Sequence, residues 1–315
     1  MVLAWLVLTL AAGFRVLGAG YDYLTYVTYY LYIPELLSFE DTRFEPGFHL
    51  AAWFFRHKVG LSFDQFSMLI VGISLGIKFY LFRKYLAHPL LAVVAYVLIF
   101  YGIHEYTQIR AALALALGYW AIHLVMERRW LWAALLFGLS LTFHTSAVLL
   151  LPAYIASQFI RGTLAAVLIG VGAAVLFALS EYLYNFAMVY FTTINPLLGS
   201  YLDNATTDIN SLSLTSINNL IFMASLAAAV VFRWFDLGRY HSTFLTISIL
   251  SLVLLALFAT SPIVGQRAKE VLFVASIFVM FRAPLSTRTI VPVALYFATG
   301  ALLFYLQLRA GLLVF

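Results

Sequence analysis

The sequence predicts an all-α, polytopic transmembrane helix bundle of about 10–12 helices, short and re-entrant ones included. Three observations predict it. Of the 315 residues, 64% are hydrophobic, against about 45–50% in soluble domains. Only 10% are charged, too few ionic groups to cover a water-soluble globule of this length. The apolar residues fall in runs divided by short charged knots, and at about 20 residues per crossing they fill about ten spans.

The elements follow in chain order. Residues 1–19 have no Lys or Arg ahead of their apolar run and no A-x-A site behind it, so they read as a retained first helix. A connection over 20–47 carries six tyrosines (Tyr21, Tyr23, Tyr26, Tyr29, Tyr30, Tyr32) and then SFEDTRFEPG. Residues 47–58 are too short to cross and end in Arg56 and Lys58, which suits an interfacial or re-entrant helix. Spans are expected at 65–82, 88–104 and 110–126, and Gly72 and Gly76 in the first of these have the G-x-x-x-G spacing of helix packing. Residues 130–157 are either one tilted span or two short helices with His144 at the turn. Further spans are expected at 162–182, 216–232, 243–261, 269–281 and 289–308, with a polar connection rich in Asn, Thr and Ser at 191–215. No linker or repeat divides the chain, so 1–315 reads as a single transmembrane domain with long outer-face loops at 20–47 and 191–215.

Orientation comes from the paired basic knots Arg83/Lys84, Arg128/Arg129, Arg233/Arg239 and Arg282/Arg288, each in a short connection. With these facing the cytoplasm, and Lys78 and Arg161 counted with them, residues 130–157 enter and leave by one side. That favours the two-helix reading and turns His144 outward. Most carboxylates then lie at the outer face. The net charge of +5 is explained by topology, not by nucleic-acid binding, because the basic residues are spread singly or in pairs.

Zero cysteines exclude disulfides, thiolate metal sites and cysteine nucleophiles. The chain has no phosphate loop, H-E-x-x-H, G-x-S-x-G or D-x-D. A transferase of this composition would draw on a donor already activated on a lipid, with no cofactor and no metal. Glu40 and Asp41 are the nearest thing to a metal-binding carboxylate pair.

Polar residues at membrane depth are functional candidates by default. His104, Glu105, Gln108 and Arg110 sit between two apolar runs, where they either mark a site or snorkel to the interface. His144 has no charged neighbour for ten positions on either side. It is either a satisfied core histidine or a general base whose pKa lies near working pH. Arg267, at the outer end of a span, suits bidentate phosphate binding or a lipid headgroup. Arg110 and Arg267 fall on the same predicted side and together could clamp a pyrophosphate. Glu45 precedes Pro46 and Gly47, where it is a base, a sugar-hydroxyl ligand or a helix N-terminal charge. The tyrosines stack on sugars or form an interfacial belt.

Taken in order, Asp22 with its spaced tyrosines, RFEPGF (Arg43 to Phe48), IRAALA (Ile109 to Ala114), FHTSA (Phe143 to Ala147) and the outer Arg267 resemble the EpsG family of bacterial inner-membrane proteins, related to Wzy-type polymerases. The likeness covers about residues 20 to 280, and Ala111 stands where the family run usually has a polar residue. The resemblance implies polymerisation of oligosaccharide repeat units carried on undecaprenyl pyrophosphate, at the periplasmic side of the inner membrane and with a chain-length regulator as a protein partner. It implies that Arg110 and Arg267 hold the pyrophosphate, that His144 or Glu45 deprotonates the acceptor hydroxyl, and that Asp22, Arg43, Glu105 and Tyr26 contact the substrate. Two competing classes are a lipid-linked oligosaccharide transporter or flippase, and a metal-dependent transferase using a polyprenyl-monophosphate sugar with Glu40 and Asp41 as ligands.

Overall fold

The computed structural model describes residues 1–15, 20–39, 42, 44–160, 217–231, 239–258, 262–286 and 289–309, with isolated positions between 161 and 216. The described residues are helical, with no strand. The chain packs as two compact units, Met1–Val148 with Gly300–Phe315, and Leu149–Thr299.

The first unit holds α1 (Val2–Gly13), α2 (Gly20–Tyr32), α3 (Pro46–Phe54), α4 (Phe63–Tyr85), α5 (Pro89–Tyr96), α6 (Ile109–Met126) and α7 (Trp130–Phe143). The longest, α4, starts on a capping box: Ser62 accepts from the Gln65 amide while the Gln65 side chain accepts from the Ser62 amide. Gly72 and Gly76 pack α1 onto α4, as their spacing predicts, since Trp5 of α1 lies against both glycines and donates to the Gly72 carbonyl at 2.7 Å. The short segment expected at 47–58 is α3, which continues as a π-helical turn over Phe55–Val59 and stops at Gly60 in the left-handed conformation.

Three helices fix the ends of the unit. α6 packs against both α4 and α7. The C-terminal ends of α4 and α6 meet through an ion pair between Lys84 and Glu127. Just beyond, the Arg129 amide reaches back to the Leu124 carbonyl and the Arg128 amide to that of Val125, with Arg128 itself left-handed. This Schellman turn sends α7 back along α6. Residues at the start of α6 and the end of α7 therefore share one end of the unit, about 27 Å from Arg128 and Arg129, given 18 helical residues at about 1.5 Å each.

The second unit holds α8 (Leu150–Phe159), α9 (Ile217–Val231), α10 (Arg239–Leu257), α11 (Pro262–Phe273), α12 (Ala275–Met280) and the first half of α13 (Ile290–Arg309), whose second half belongs to the first unit. Its core is aromatic: Phe244 stacks on Phe278 at 4.3 Å, and Ser276 and Tyr296 share a hydrogen bond of 2.6 Å. Among the described helices, α4, α6 and α13 are long and apolar enough to cross a membrane.

Two sequence expectations change. The first helix ends at Gly13, and Arg15 turns into the interior instead of completing a span to residue 19. Lys78 does not join the cytoplasmic set. It lies within α4 with only 2% of its side chain exposed, paired with Glu105 at 2.5 Å. A buried lysine is tolerated there because a carboxylate from another part of the chain compensates it. The expected span at 162–182 and the connection at 191–215 fall largely or wholly outside the described residues.

Candidate active site

The site forms where three short sequences meet. Pro46 occupies the first turn of α3, where its missing N–H costs nothing, and Glu45 stands ahead of it in extended conformation. A carboxylate at that position ordinarily caps the helix, yet Glu45 caps nothing. It turns instead toward α6 and α7. One oxygen accepts from Arg110. The other accepts from Nδ1 of His144 at 2.9 Å and from the Thr145 amide at 3.3 Å.

His144 can present this geometry because α7 stops at Phe143. The histidine is extended (φ −159°, ψ 120°) and is followed by a 3₁₀ turn over Thr145–Leu149. Residues 130–157 are thus broken at His144. Gly47 brings the walls together: a Cβ there would lie 2.2 Å from the Thr142 hydroxyl on α7, so only glycine lets α3 approach this closely.

Arg110 opens α6 and is seated on aromatic rings. Its Nε donates to the Tyr26 hydroxyl at 3.2 Å, and its guanidinium lies 4.3 Å from the Phe44 ring centroid and 5.2 Å from that of Tyr26. All three polar groups stay partly accessible, with 13%, 16% and 27% exposure for Glu45, Arg110 and His144. Burial pushes the Glu45 carboxyl up, but the His144 hydrogen bond and the Arg110 charge outweigh it and hold the pKa at about 2. Glu45 is therefore ionised at neutral pH. With its Nδ1–H engaged, His144 leaves Nε2 as an acceptor.

The structure brings together Glu45, Arg110, His144 and Tyr26. Asp22 lies one turn before Tyr26 on α2, half-buried. Glu105 does not join them; its carboxylate is fully buried and accepts from Lys78, Ser74 and Tyr96. Arg267 is exposed on α11 of the second unit. Arg43, Glu40 and Asp41 lie outside the described residues, and among the described residues no three His, Asp or Glu side chains converge as a metal-binding group. Sequence reasoning missed Phe44, the ring beneath Arg110. The signal was present, since an aromatic flanks each side of EPG in RFEPGF.

The family model of the EpsG family matches residues 1–312, essentially the whole chain. The chain belongs to the EpsG family. No curated protein and no solved structure matches it.

Proposed function

We propose that this EpsG-family chain is a membrane glycosyltransferase of the Wzy-like polysaccharide polymerase type, which joins oligosaccharide repeat units carried on undecaprenyl pyrophosphate at the periplasmic face of the bacterial inner membrane. The observation that carries this reading is the Glu45–Arg110–His144 cluster. It offers a histidine oriented by a carboxylate beside a guanidinium, at the end of α6 away from Arg128 and Arg129.

The chemistry follows from those groups. The acceptor hydroxyl oxygen attacks the anomeric carbon of the donor sugar, the C–O bond to pyrophosphate breaks, and the electron pair leaves on the pyrophosphate. The hydroxyl proton passes to Nε2 of His144. Glu45 is held too acidic to take that proton itself, so it orients the imidazole and stabilises the imidazolium, as the carboxylate does in a hydrolase triad. Arg110 has five N–H donors, enough to keep Glu45 and Tyr26 while binding a phosphate oxygen and stabilising the charge that develops there.

Purified protein in detergent, given its lipid-linked repeat unit, should yield a ladder of longer glycans. Arg110→Ala should abolish the ladder while the protein stays folded. A normal ladder from Arg110→Ala, or translocation of the lipid-linked sugar without bond formation, refutes the reading.

A further inference from the structure

Two cavities flank the cluster, one almost wholly apolar and one of mixed lining, and consecutive residues lead into them. Phe44 lines one, Pro46 lines the other, and Glu45 stands between. The first is a cleft of about 380 Å³ on α2, walled by Leu24, Thr25, Thr28, Tyr29 and Phe44. The second is a groove of about 570 Å³ between α3 and α7, walled by Pro46, Gly47, Leu50, Phe54, Leu139 and Phe143 among others. Both fall within the roughly 300–1,000 Å³ of small-molecule sites.

The linings select their occupants. In the groove the one polar side chain is that of Thr142, whose hydroxyl is already bonded to the Leu139 carbonyl at 2.7 Å. Such a surface offers a ligand nothing but apolar contact. The cleft carries no charged side chain. Beside Leu24 and the Phe44 ring it presents the Thr25 and Thr28 side chains about one helical turn apart and Tyr29, whose hydroxyl is already held by Thr42 at 3.2 Å and by Nδ1 of the buried His49. Neutral hydroxyls beside an aromatic face suit a neutral sugar ring. Arg110, over the Phe44 ring, supplies the cation between them.

We propose that the chain holds one amphiphile across Glu45, with its hydrocarbon chain in the α3–α7 groove, its phosphate at Arg110 and its saccharide in the α2 cleft. This pose rests on the lipid-linked glycan reading above and assigns that substrate its subsites. A sugar nucleotide would leave the groove unused, and a bilayer phospholipid would leave the cleft unused.

The test uses the full chain in nanodiscs with two photoprobes: a polyprenyl phosphate bearing a diazirine in the units nearest the phosphate, and a phosphatidylglycerol bearing the same diazirine in an acyl chain. The prenyl probe should label the peptides spanning 46–54 and 139–143, and unlabelled polyprenyl phosphate should compete that label away. Equal, uncompeted labelling by both probes marks the groove as ordinary bilayer-facing surface and overturns the proposal. Leu50 and Leu139 are 46% and 44% exposed, so Leu50→Trp or Leu139→Trp fills the groove without overpacking a core. Each should reduce prenyl labelling about tenfold and raise KM for the lipid-linked donor. Thr28→Trp should suppress elongation with prenyl labelling unchanged; elongation at the normal rate overturns the saccharide half. Competed groove labelling with no ladder from any lipid-linked glycan would sink the polymerase reading and leave the hydrocarbon subsite standing. A ladder with labelling elsewhere would do the reverse.

Discussion

Two clusters of charged side chains lie in the first unit, built from the same kinds of residue and finished differently. In the interior, Lys78 donates to Glu105 at 2.5 Å and to the Tyr96 hydroxyl at 2.7 Å, and Tyr96 donates to the second Glu105 oxygen at 2.5 Å. Arg15 closes the same turn from the other side, donating to the Tyr106 carbonyl at 2.6 Å and to Ser67 at 2.7 Å. Each of these side chains is buried and engaged. At the unit's end, Glu45, Arg110 and His144 are also paired but partly accessible, and Nε2 of His144 remains able to accept. A closed network specifies where the chain turns before α6, whereas an open one leaves an imidazole and a guanidinium partly accessible. Charged side chains thus fall into two settings in this unit, separated by access.

The largest effect should come from breaking the closed network. Glu105→Ala leaves Lys78 buried without a counter-charge, which costs about 3–5 kcal/mol. It should unfold the first unit in detergent at temperatures the parent protein withstands, as followed by thermal denaturation. Lys78→Met combined with Glu105→Leu should recover most of that loss, because apolar replacement of a buried pair is often neutral. Failure of the double variant to recover would mean that the charges, not the packing, fix this turn.

In the open cluster the loss should appear in rate, not stability. His144→Gln retains a donor for Glu45 but cannot take the proton, so kcat should fall about 10²- to 10⁴-fold with KM and melting temperature little changed. A variant turning over at the parent rate would remove His144 from the role of base.

A smaller effect tests how the two walls of the site meet. The Cβ of Gly47→Ala would collide with both the side chain and the carbonyl of Thr142, and forcing α3 off α7 should cost about 1–3 kcal/mol together with activity. Gly138 of α7 faces open space, where an added methyl would meet nothing within 4 Å, so Gly138→Ala should leave activity intact and gain up to about 1 kcal/mol. Equal losses from both would show that the tight approach at Gly47 is unimportant.

These contrasts also show what was legible in the sequence. Apolar runs located the described helices closely: 65–82 became Phe63–Tyr85 and 110–126 became Ile109–Met126, because burying or lipid-solvating an apolar side chain depends on little beyond its own run. The positive-inside pattern went further and broke residues 130–157 at His144, where α7 ends. What local pattern could not show was partnership. Lys78 and Glu105 are far apart in sequence, so each reads alone as an interfacial charge. Arg15 was hidden inside an apolar run. Glu45 looked equally like a helix N-terminal charge until its two oxygens were found on Arg110 and His144. Compensation of a buried charge is a tertiary property, which no local run displays.

The smallest expected effect is the most selective for the open cluster, because it concerns one proton. A glutamate in water protonates near its ordinary value of 4.5, whereas Glu45 is held at about 2. Its folded pKa is depressed, so the linkage to Arg110 and His144 is fully present above 4.5 and is lost only as pH falls from there through about 2. Acidification from pH 7 to pH 4 should leave the Glu45 carboxylate charged, as read from the protonated-carboxyl infrared band in a difference spectrum against Glu45→Gln. His144→Ala removes the hydrogen bond that lowers the value most and exposes the opposing pull of burial, so in that variant the band should grow in at higher pH. A parent protein whose Glu45 band already appears at pH 4 would show that the cluster does not hold this carboxylate charged, and the orienting role assigned to it would fall.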